Sequence, residues 1–169
     1  MIPSITQEEL KEVLNYCPLT GVFTWKKKTC HKVIAGAVAG SKQTNGYACI
    51  RIKRKLYLTH RLVFLYMSGY LPVLDVDHIN GARTDNRWIN LREVTRQDNL
   101  RNAAKPSTNT SGVIGVGWSK QHQKWTARIS INNKTQYLGI FTNFDEAVQA
   151  RAAANNLYKF HANHGRNLI

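Results

Sequence analysis

A polar segment without hydrophobic periodicity, residues 105–112, divides the chain into two parts. It reads Lys-Pro-Ser-Thr-Asn-Thr-Ser-Gly, a composition typical of turns and linkers. Because the chain has only 169 residues, each part can form no more than one small domain. We therefore predict an α+β protein with domains over residues 1–104 and 113–169, joined by a linker at 105–112.

Both parts are basic. The residues before Pro106 include 17 Lys and Arg against 8 Asp and Glu, those after it include 7 against 2, and the formal net charge is +14. A field of this size attracts polyanions, most commonly nucleic acids. A membrane partner would require a basic amphipathic helix with a wide apolar face, or a spanning run of about 20 apolar residues, and the sequence has neither. A basic protein without such a partner is the simpler alternative.

The cysteines Cys17, Cys30 and Cys49 are too few and too scattered for a disulfide framework. Residues 1–10 lack the basic and apolar segments of a secretory signal. Both observations favour a reduced, cytoplasmic location. Together with His31 the cysteines could instead bind zinc, although they lack the short spacing of structural zinc sites.

Local patterns predict short elements in the first part. Thr6 and Glu9 form a capping box that opens a helix, and Gly69 is a glycine stop that ends another. Thr95, with Asp98 three residues later, is the predicted cap of a third helix. Alternating hydrophobicity between turn residues predicts the strands. The predicted helices span residues 6–16, 60–68 and 95–104, and the predicted strands span 19–25, 47–53, 56–59, 74–78 and 91–94.

The most informative residues lie between Asp77 and Asn99. Hydrolysis of a phosphodiester needs a base that titrates near neutral pH, which His78 can supply, and a hard cation with oxygen ligands. The Asp77 carboxylate and the Asn99 amide are suitable ligands for Mg²⁺, which usually keeps most of its sites for water and phosphate. Neighbouring residues on a strand point to opposite faces, so Asp77 and His78 would need a twist or bulge to reach one cleft.

The order of these residues resembles the signature of HNH endonucleases, in the form found in phage and intron-borne homing endonucleases, where the last His is replaced by Asn. The resemblance covers about residues 15–104. The matching segments are Gly46-Tyr47, Leu58-Thr59-His60-Arg61-Leu62-Val63, Gly69-Tyr70-Leu71-Pro72, Asp77-His78-Ile79-Asn80-Gly81, Asp85-Asn86-Arg87, Asn90-Leu91-Arg92-Glu93 and Asn99.

The HNH resemblance implies a ββα-metal fold with one catalytic divalent ion, Mg²⁺ or Mn²⁺. It assigns Asp77 and Asn99 to the metal, makes His78 the general base and gives Asn90 the role of orienting His78. Many HNH proteins carry paired Cys-x-x-Cys zinc knuckles, and this sequence has none. The fold must therefore rest on packing.

The second part resembles the ethylene-response-factor (AP-two) type DNA-binding domain over residues 111–163. Three predicted strands, 113–119, 125–131 and 136–141, precede a helix over 142–160 that Thr142 caps. The resemblance rests on Gly115-Val116, Trp125-Thr126-Ala127-Arg128-Ile129, Leu138-Gly139-Ile140-Phe141, Glu146-Ala147 and Ala152-Ala153. It implies a three-stranded antiparallel sheet packed on one helix, with the exposed face of the sheet in the major groove of DNA.

Basic and polar side chains in both parts are the expected DNA contacts, because arginine can read guanine and lysine mostly binds phosphate. We expect a monomer on double-stranded DNA, without a membrane or a protein partner. The predicted contacts are Arg51, Lys53, Arg54, Arg61, Arg83, Arg87, Arg101, Trp118, Lys120, Lys124, Arg128, Ser130 and Lys134.

Together these features predict a metal-dependent DNA endonuclease, a homing enzyme of a phage or mobile element that acts in the host cytoplasm. Two alternatives stay open. One is a sequence-specific DNA-binding regulator whose nuclease module is inactive, which specific binding without cleavage would favour. The other is an RNA-binding or structural basic protein, which a preference for single-stranded RNA would favour.

Overall fold

The computed structural model describes residues 5–167, and the chain forms two compact units, residues 1–94 and 95–169. The boundary falls earlier than the predicted linker at 105–112. The segment after residue 94 hydrogen-bonds to the C-terminal tail, from Gly165 N to the Ala103 carbonyl (2.9 Å) and from Lys105 N to the Arg166 carbonyl (2.8 Å). Residues 1–4 and 168–169, the outer ends of the two predicted domains, lie outside the described residues. Residues 1–4 are also the start of the segment, residues 1–10, in which a secretory signal was sought.

The first unit opens with α1 (Gln7–Val13), and the predicted capping box is confirmed, since Glu9 N donates to Thr6 Oγ at 3.2 Å. The prediction that this helix continues to residue 16 is wrong. β1 (Leu14–Cys17) instead pairs with β2 (Val22–Trp25) in an antiparallel hairpin. Pairing with β2 in this hairpin outweighs the local helical pattern.

A three-stranded antiparallel sheet follows, in the order β3 (Ser41–Lys42), β4 (Ala48–Ile52) and β5 (Lys55–Leu58). β3 lies outside the strands predicted from the sequence. Lys53 and Arg54 form the turn between β4 and β5 with φ of 47° and 67°, a conformation that matches the twist of a two-residue hairpin. The turn therefore lies one residue earlier than predicted.

The remaining elements of the first unit position the candidate site. α2 (Thr59–Ser68) ends at Gly69 with φ of 83°, as predicted. β6 (Asp75–His78) and β7 (Leu91–Val94) form an antiparallel hairpin whose long connection ends in a 3₁₀ turn, Trp88–Asn90. The hairpin packs on the unit's core, because Val76 and Leu91 belong to the same buried hydrophobic cluster as α2.

The second unit begins with α3 (Arg96–Arg101), which Thr95 caps as predicted by accepting a hydrogen bond from Asp98 N. Three antiparallel strands follow, β8 (Val116–Ser119), β9 (Lys124–Ile131) and β10 (Lys134–Phe141), and they form a sheet in the order β10-β9-β8. The sheet packs on α4 (Phe144–Leu157). The prediction that Thr142 caps α4 is wrong, because the cap is Asn143, whose Oδ1 accepts from Asp145 N at 2.8 Å.

Helices and antiparallel sheets in both units confirm the predicted α+β class. Over the described part of the chain, no helix combines the length and the apolar character that crossing a membrane requires.

Candidate active site

The β6–β7 hairpin fixes the directions of Asp77 and His78. Asp77 lies opposite Arg92 and His78 opposite Leu91, in a register that is unbroken over its four residue pairs. Neighbouring strand residues point to opposite faces, so the two side chains diverge, and the ladder carries no bulge that would turn them together. Both residues are buried, with 7% and 4% of their surface exposed.

His78 is held by the side chain of Asn86, with Nε2 3.2 Å from Oδ1. An amide oxygen can only accept, so Nε2 carries the proton and Nδ1 has the lone pair. Burial lowers the pKa of His78, while the Asn86 contact and the carboxylates of Asp77 and Asp85 act in the opposite direction. The imidazole is therefore neutral near pH 7, the form that can accept a proton.

Two aromatic neighbours flank His78. The His60 ring lies edge-to-face at 5.2 Å between centroids, and the Tyr47 ring lies at 5.9 Å. Burial, followed by the charges of His78 and Arg61, lowers the pKa of His60 to about 3. His60 is therefore a neutral ring that excludes water from one side of His78. The conformation of a rotatable side chain such as His78 depends on this packing.

Asn90 orders the loop that carries Asn86. Its Oδ1 accepts from Asn80 N at 3.0 Å, and its Nδ2 donates to Asn80 Oδ1 at 3.0 Å and to the Asp85 carbonyl at 2.8 Å. The side-chain amide that contacts the His78 imidazole is that of Asn86. The orienting role of Asn90 thus stays a prediction, and it would act through this loop.

The loop around Asn86 is also fixed from outside. The Tyr16 hydroxyl donates to the Asn86 carbonyl at 2.7 Å, and burial raises the pKa of Tyr16. Arg87 binds both carboxylate oxygens of Asp85, at 2.8 and 2.6 Å, and is the main cause that lowers the pKa of Asp85 to about 2. The sequence places Asp85-Asn86-Arg87 in the HNH-like pattern but indicates no contact between Asn86 and His78, so this contact was missed.

The Asp77 carboxylate is an acceptor already bound to one cation. Its Oδ2 receives hydrogen bonds from Arg92 Nε at 3.0 Å and Nη2 at 2.8 Å. A carboxylate offers about four lone-pair sites, so an arginine and a metal ion can share one. Asn99 lies half-buried on α3, in the second unit. The pairing of Asp77 with Asn99 stays a prediction.

The donor chemistry fits a hard cation. Among residues 5–167, no group of three or more His, Cys, Asp or Glu side chains is placed to hold a metal ion. A cage of nitrogen and sulfur ligands is the pattern of structural zinc, whereas Mg²⁺ often takes one or two oxygen ligands from the protein. Carboxylate and amide oxygens match the second pattern.

The predicted DNA contacts of the first unit differ in how tightly the protein holds them. Arg61 donates to backbone carbonyls of the loop before β6, and Arg83 donates to the Asn45 carbonyl at 2.7 Å. Arg87 is paired with Asp85. These three arginines already order loops. The other three predicted contacts, Arg51, Lys53 and Arg54, lie exposed in the β4–β5 hairpin. Arg51 donates to the Arg54 carbonyl, and Lys53 forms an ion pair with Glu9.

The predicted contact face of the second unit is split by the strand register. Trp118 lies opposite Trp125, whose ring packs on Phe144 of α4 at 4.7 Å, and Lys134 lies opposite Ile131. Directly paired residues project to the same side of a sheet. Trp118 and Lys134 therefore lie on the sheet face that packs on α4 and Arg128 on the opposite face, and the contacts of all three with DNA stay a prediction.

The other predicted contacts of the second unit are accessible. Arg101 forms an ion pair with Asp98 at 3.0 Å, and its side chain is 27% exposed. Alternation along β9 places three exposed residues on the sheet face away from α4, and one more lies in the β8–β9 turn. These four are Lys120, Lys124, Arg128 and Ser130.

Comparisons with known proteins agree with part of this picture. A family model described as HNH endonuclease matches residues 57–101. Protein 3.8 of Escherichia phage T7 is 34% identical over 59 residues, which are 35% of this chain and 49% of that protein, so the match spans about half of the relative. The HNH resemblance is thus confirmed for residues 57–101, and the AP-two resemblance stays a prediction.

A solved structure described as "DNA binding and cleavage by the HNH homing endonuclease I-HmuI" is also similar. It is 23% identical, with a TM-score of 0.43, and the similarity covers 88% of this chain and 85% of that one.

Proposed function

We propose that this chain is a divalent-metal-dependent DNA endonuclease of the HNH type, and a homing enzyme of a phage or mobile element. The observation that carries the proposal is a buried, neutral His78 held by Asn86 within the segment that matches the HNH endonuclease family. The likeness to a phage T7 protein supports the phage context and, with it, action in the host cytoplasm.

In the proposed reaction, Nδ1 of His78 accepts a proton from water. The resulting hydroxide attacks phosphorus, and the bond from phosphorus to the 3′ oxygen breaks, so that the 3′ oxygen leaves. Asn86 keeps the proton on Nε2 and fixes the plane of the ring. Asp77 and Asn99 would hold a Mg²⁺ or Mn²⁺ ion, which would act as a Lewis acid on the phosphate and on the leaving 3′ oxygen. Arg92 holds the Asp77 carboxylate against the hairpin.

The basic side chains predicted to contact DNA would follow the duplex backbone. Their excess charge matches a polyanion, and binding should weaken steeply as salt concentration rises. The chain's formal charge of +14 supports this part of the proposal. A monomer on double-stranded DNA is the simplest assembly.

A plasmid assay tests the proposal. Supercoiled plasmid carrying phage genomic fragments is incubated with the protein in Mg²⁺, Mn²⁺ or EDTA. The variants are His78→Ala, Asp77→Asn and Asn99→Ala, and the control is His122→Ala, which changes an exposed histidine of the second unit. We expect nicked or linear product that requires metal, a roughly 10²- to 10⁴-fold slower reaction for His78→Ala, and wild-type rates for the control.

The variants also separate the alternatives. Wild-type cleavage by His78→Ala would refute the base assignment, and wild-type cleavage by Asp77→Asn and Asn99→Ala in millimolar Mg²⁺ would refute the ligand assignment. Specific duplex binding without cleavage in either metal would instead identify a DNA-binding regulator.

A further inference from the structure

The second unit contains a cavity of about 870 Å³, and its lining includes three of the predicted DNA contacts, Arg101, Arg128 and Ser130. Residues of α3, of the β9–β10 hairpin and of the C-terminal tail line it. Asp and Glu are absent from its described lining, which includes Arg96, Arg101, Arg128 and Arg151. Ligand sites of small molecules have volumes of about 300–1,000 Å³, so this cavity has room for a group larger than a single inorganic anion.

Arg151 is the fixed cation of this cavity. It is 3% exposed, and its Nη1 donates to the Arg128 carbonyl at 2.6 Å while its Nε donates to Asn155 Oδ1 at 3.0 Å. None of the ion pairs found among residues 5–167 includes Arg151. A buried charge without a counter-charge is costly, and burial lowers the pKa of this guanidinium. An anion in the cavity would offset that cost.

Neighbouring groups hold the guanidinium in place. A Cβ at Gly115 would lie 2.4 Å from Arg151 Nη1 and 2.3 Å from the Arg128 carbonyl oxygen, so only glycine allows this approach. His164 Nε2 lies 3.2 Å from Arg151 Nη2. Burial, followed by Arg151, lowers the pKa of His164 to about 4. The neutral imidazole therefore accepts from Arg151. A cation preorganised in this way binds an anion at a lower entropic cost.

The apolar residues that line the cavity indicate which chemical group of the ligand accompanies the anion. Leu100, Ile114 and Phe160 also line the cavity. Arginine forks match phosphate oxygens, and apolar or aromatic side chains are surfaces on which nucleic-acid bases stack. A cavity of this size accommodates one or two nucleotides but not a duplex.

We propose that this cavity binds a nucleotide unit of a single nucleic-acid strand, with its phosphate on Arg128 and Arg151 and its base against the apolar wall. The proposal rests on the function proposed above only in taking the strand to be part of the DNA that the first unit cleaves. All residues that it uses lie in the second unit.

Fluorescence anisotropy of the full chain with a labelled eight-nucleotide thymidine strand, in EDTA, tests the proposal. The key variant is Arg128→Gln, because the contact with Arg151 uses the Arg128 backbone and not its side chain. The control is Lys159→Gln, which removes an exposed charge of the same unit outside the cavity. We expect Arg128→Gln to weaken binding about tenfold and to reduce the slope of log K against log salt by about 0.7 for one lost phosphate contact. Lys159→Gln should bind within twofold of the wild type.

Competition distinguishes the sources of the phosphate. We expect thymidine monophosphate to displace the strand at lower concentration than inorganic phosphate, and to bind more weakly than the strand itself. Equal losses in Arg128→Gln and Lys159→Gln, or no displacement by the nucleotide, would overturn the proposal. A nucleotide that binds as tightly as the strand would identify a free-nucleotide site and overturn the assignment to a strand.

The plasmid assay keeps the two proposals apart. If the wild type cleaves in neither Mg²⁺ nor Mn²⁺ but still binds the single strand through Arg128, the nuclease proposal fails and the cavity proposal stands. If cleavage depends on His78 while Arg128→Gln and Lys159→Gln bind the strand equally, the reverse holds.

Discussion

The two units bury different kinds of interior. Among the described residues, the core of the first unit contains fifteen buried hydrophobic side chains, including Phe23 and Leu62. The corresponding cluster of the second unit contains three, Val116, Ala127 and Ala147. The second unit also buries the charged Arg151, which ties α4 to β9 through the Arg128 carbonyl. Apolar burial therefore stabilises the first unit, and a polar network supplements a small core in the second.

This difference shows what each interior can support. In the first unit, the large core surrounds buried polar residues that cluster around His78, among them His60, Asn86 and Asn90. A close-packed interior holds such side chains in single conformations. In the second unit the buried polar groups connect segments of the fold, and one of them faces the cavity. We therefore expect the buried polar residues around His78 to serve chemistry and the buried polar group at the cavity of the second unit to serve binding.

The largest expected effect separates the two cores directly. Phe23 is 1% exposed and packs on Tyr16 and Tyr66 at 4.8 and 5.8 Å between ring centroids. Phe23→Ala should lower the free energy of unfolding of the first unit by about 3–5 kcal/mol, whereas Val116→Ala should cost the second unit roughly 1–2 kcal/mol. Amide hydrogen exchange, which reports on each unit separately, measures both. Equal losses would mean that the small core of the second unit is as important as the large one.

The second expected effect concerns the buried cation. Arg151→Met removes the donors to the Arg128 carbonyl and to Asn155, and each buried group left unpaired costs about 1–3 kcal/mol. Because removal of an unpaired buried charge offsets part of that cost, we expect a net loss of about 2 kcal/mol in hydrogen-exchange stability of β9. Lys159→Met, at an exposed position, is the control. A gain in stability would show that the arginine is retained only for binding.

Local signals predicted the ends of elements but not their tertiary pairing. The caps at Thr6 and Thr95 and the stop at Gly69 follow from side-chain chemistry within three or four residues, and the structure has them. The strand at Leu14–Cys17 could not be predicted in this way, because its helical pattern is overridden by pairing with Val22–Trp25. The capping pattern also gave a wrong prediction at Thr142, because the adjacent Asn143 is an equally good helix cap.

The candidate site shows the same limit. Alternation placed Asp77 and His78 on a strand and on opposite faces, and the register agrees. The contact of His78 with Asn86 depends on a loop that Tyr16 anchors from seventy residues away in the sequence. No local pattern contains that information. Arg151 was missed for a similar reason. The sequence alone predicts that an arginine in a helix is exposed to solvent, and only the fold shows that this one is buried.

A third prediction distinguishes the roles of Asn86 and Asn90. Asn86→Ala removes the acceptor that fixes the His78 tautomer, so kcat should fall roughly 10- to 100-fold with KM nearly unchanged. Asn86→Asp keeps an acceptor oxygen and should restore most of the rate. Asn90→Ala removes hydrogen bonds that order the loop. It should therefore lower the free energy of unfolding of the first unit, and it should change kcat less than Asn86→Ala does. If instead Asn90→Ala reduces kcat while Asn86→Ala does not, Asn90 is the orienting residue.

The smallest expected effect is a difference between the two units in how His60→Phe changes the loss of stability at low pH. His60 lies against His78 and Tyr47 and next to Arg61, and its pKa in the folded unit is about 3, whereas an unfolded histidine titrates near 6.5. Between these values the unfolded chain binds more protons, so stability is complete above pH 6.5 and declines as pH falls, by up to about 1.4 kcal/mol per pH unit.

His60→Phe keeps an aromatic ring in this packing and removes the titration. Hydrogen exchange between pH 6.5 and 5 should therefore show a flatter decline in the first unit of this variant. The second unit should keep its wild-type decline, because His164 there has its pKa lowered to about 4. His122→Gln, at an exposed site, should change neither. An unchanged slope in His60→Phe would mean that folding does not lower the pKa of His60. His78 would then face a neighbour that becomes charged in mild acid, which would disfavour its proposed role as a base.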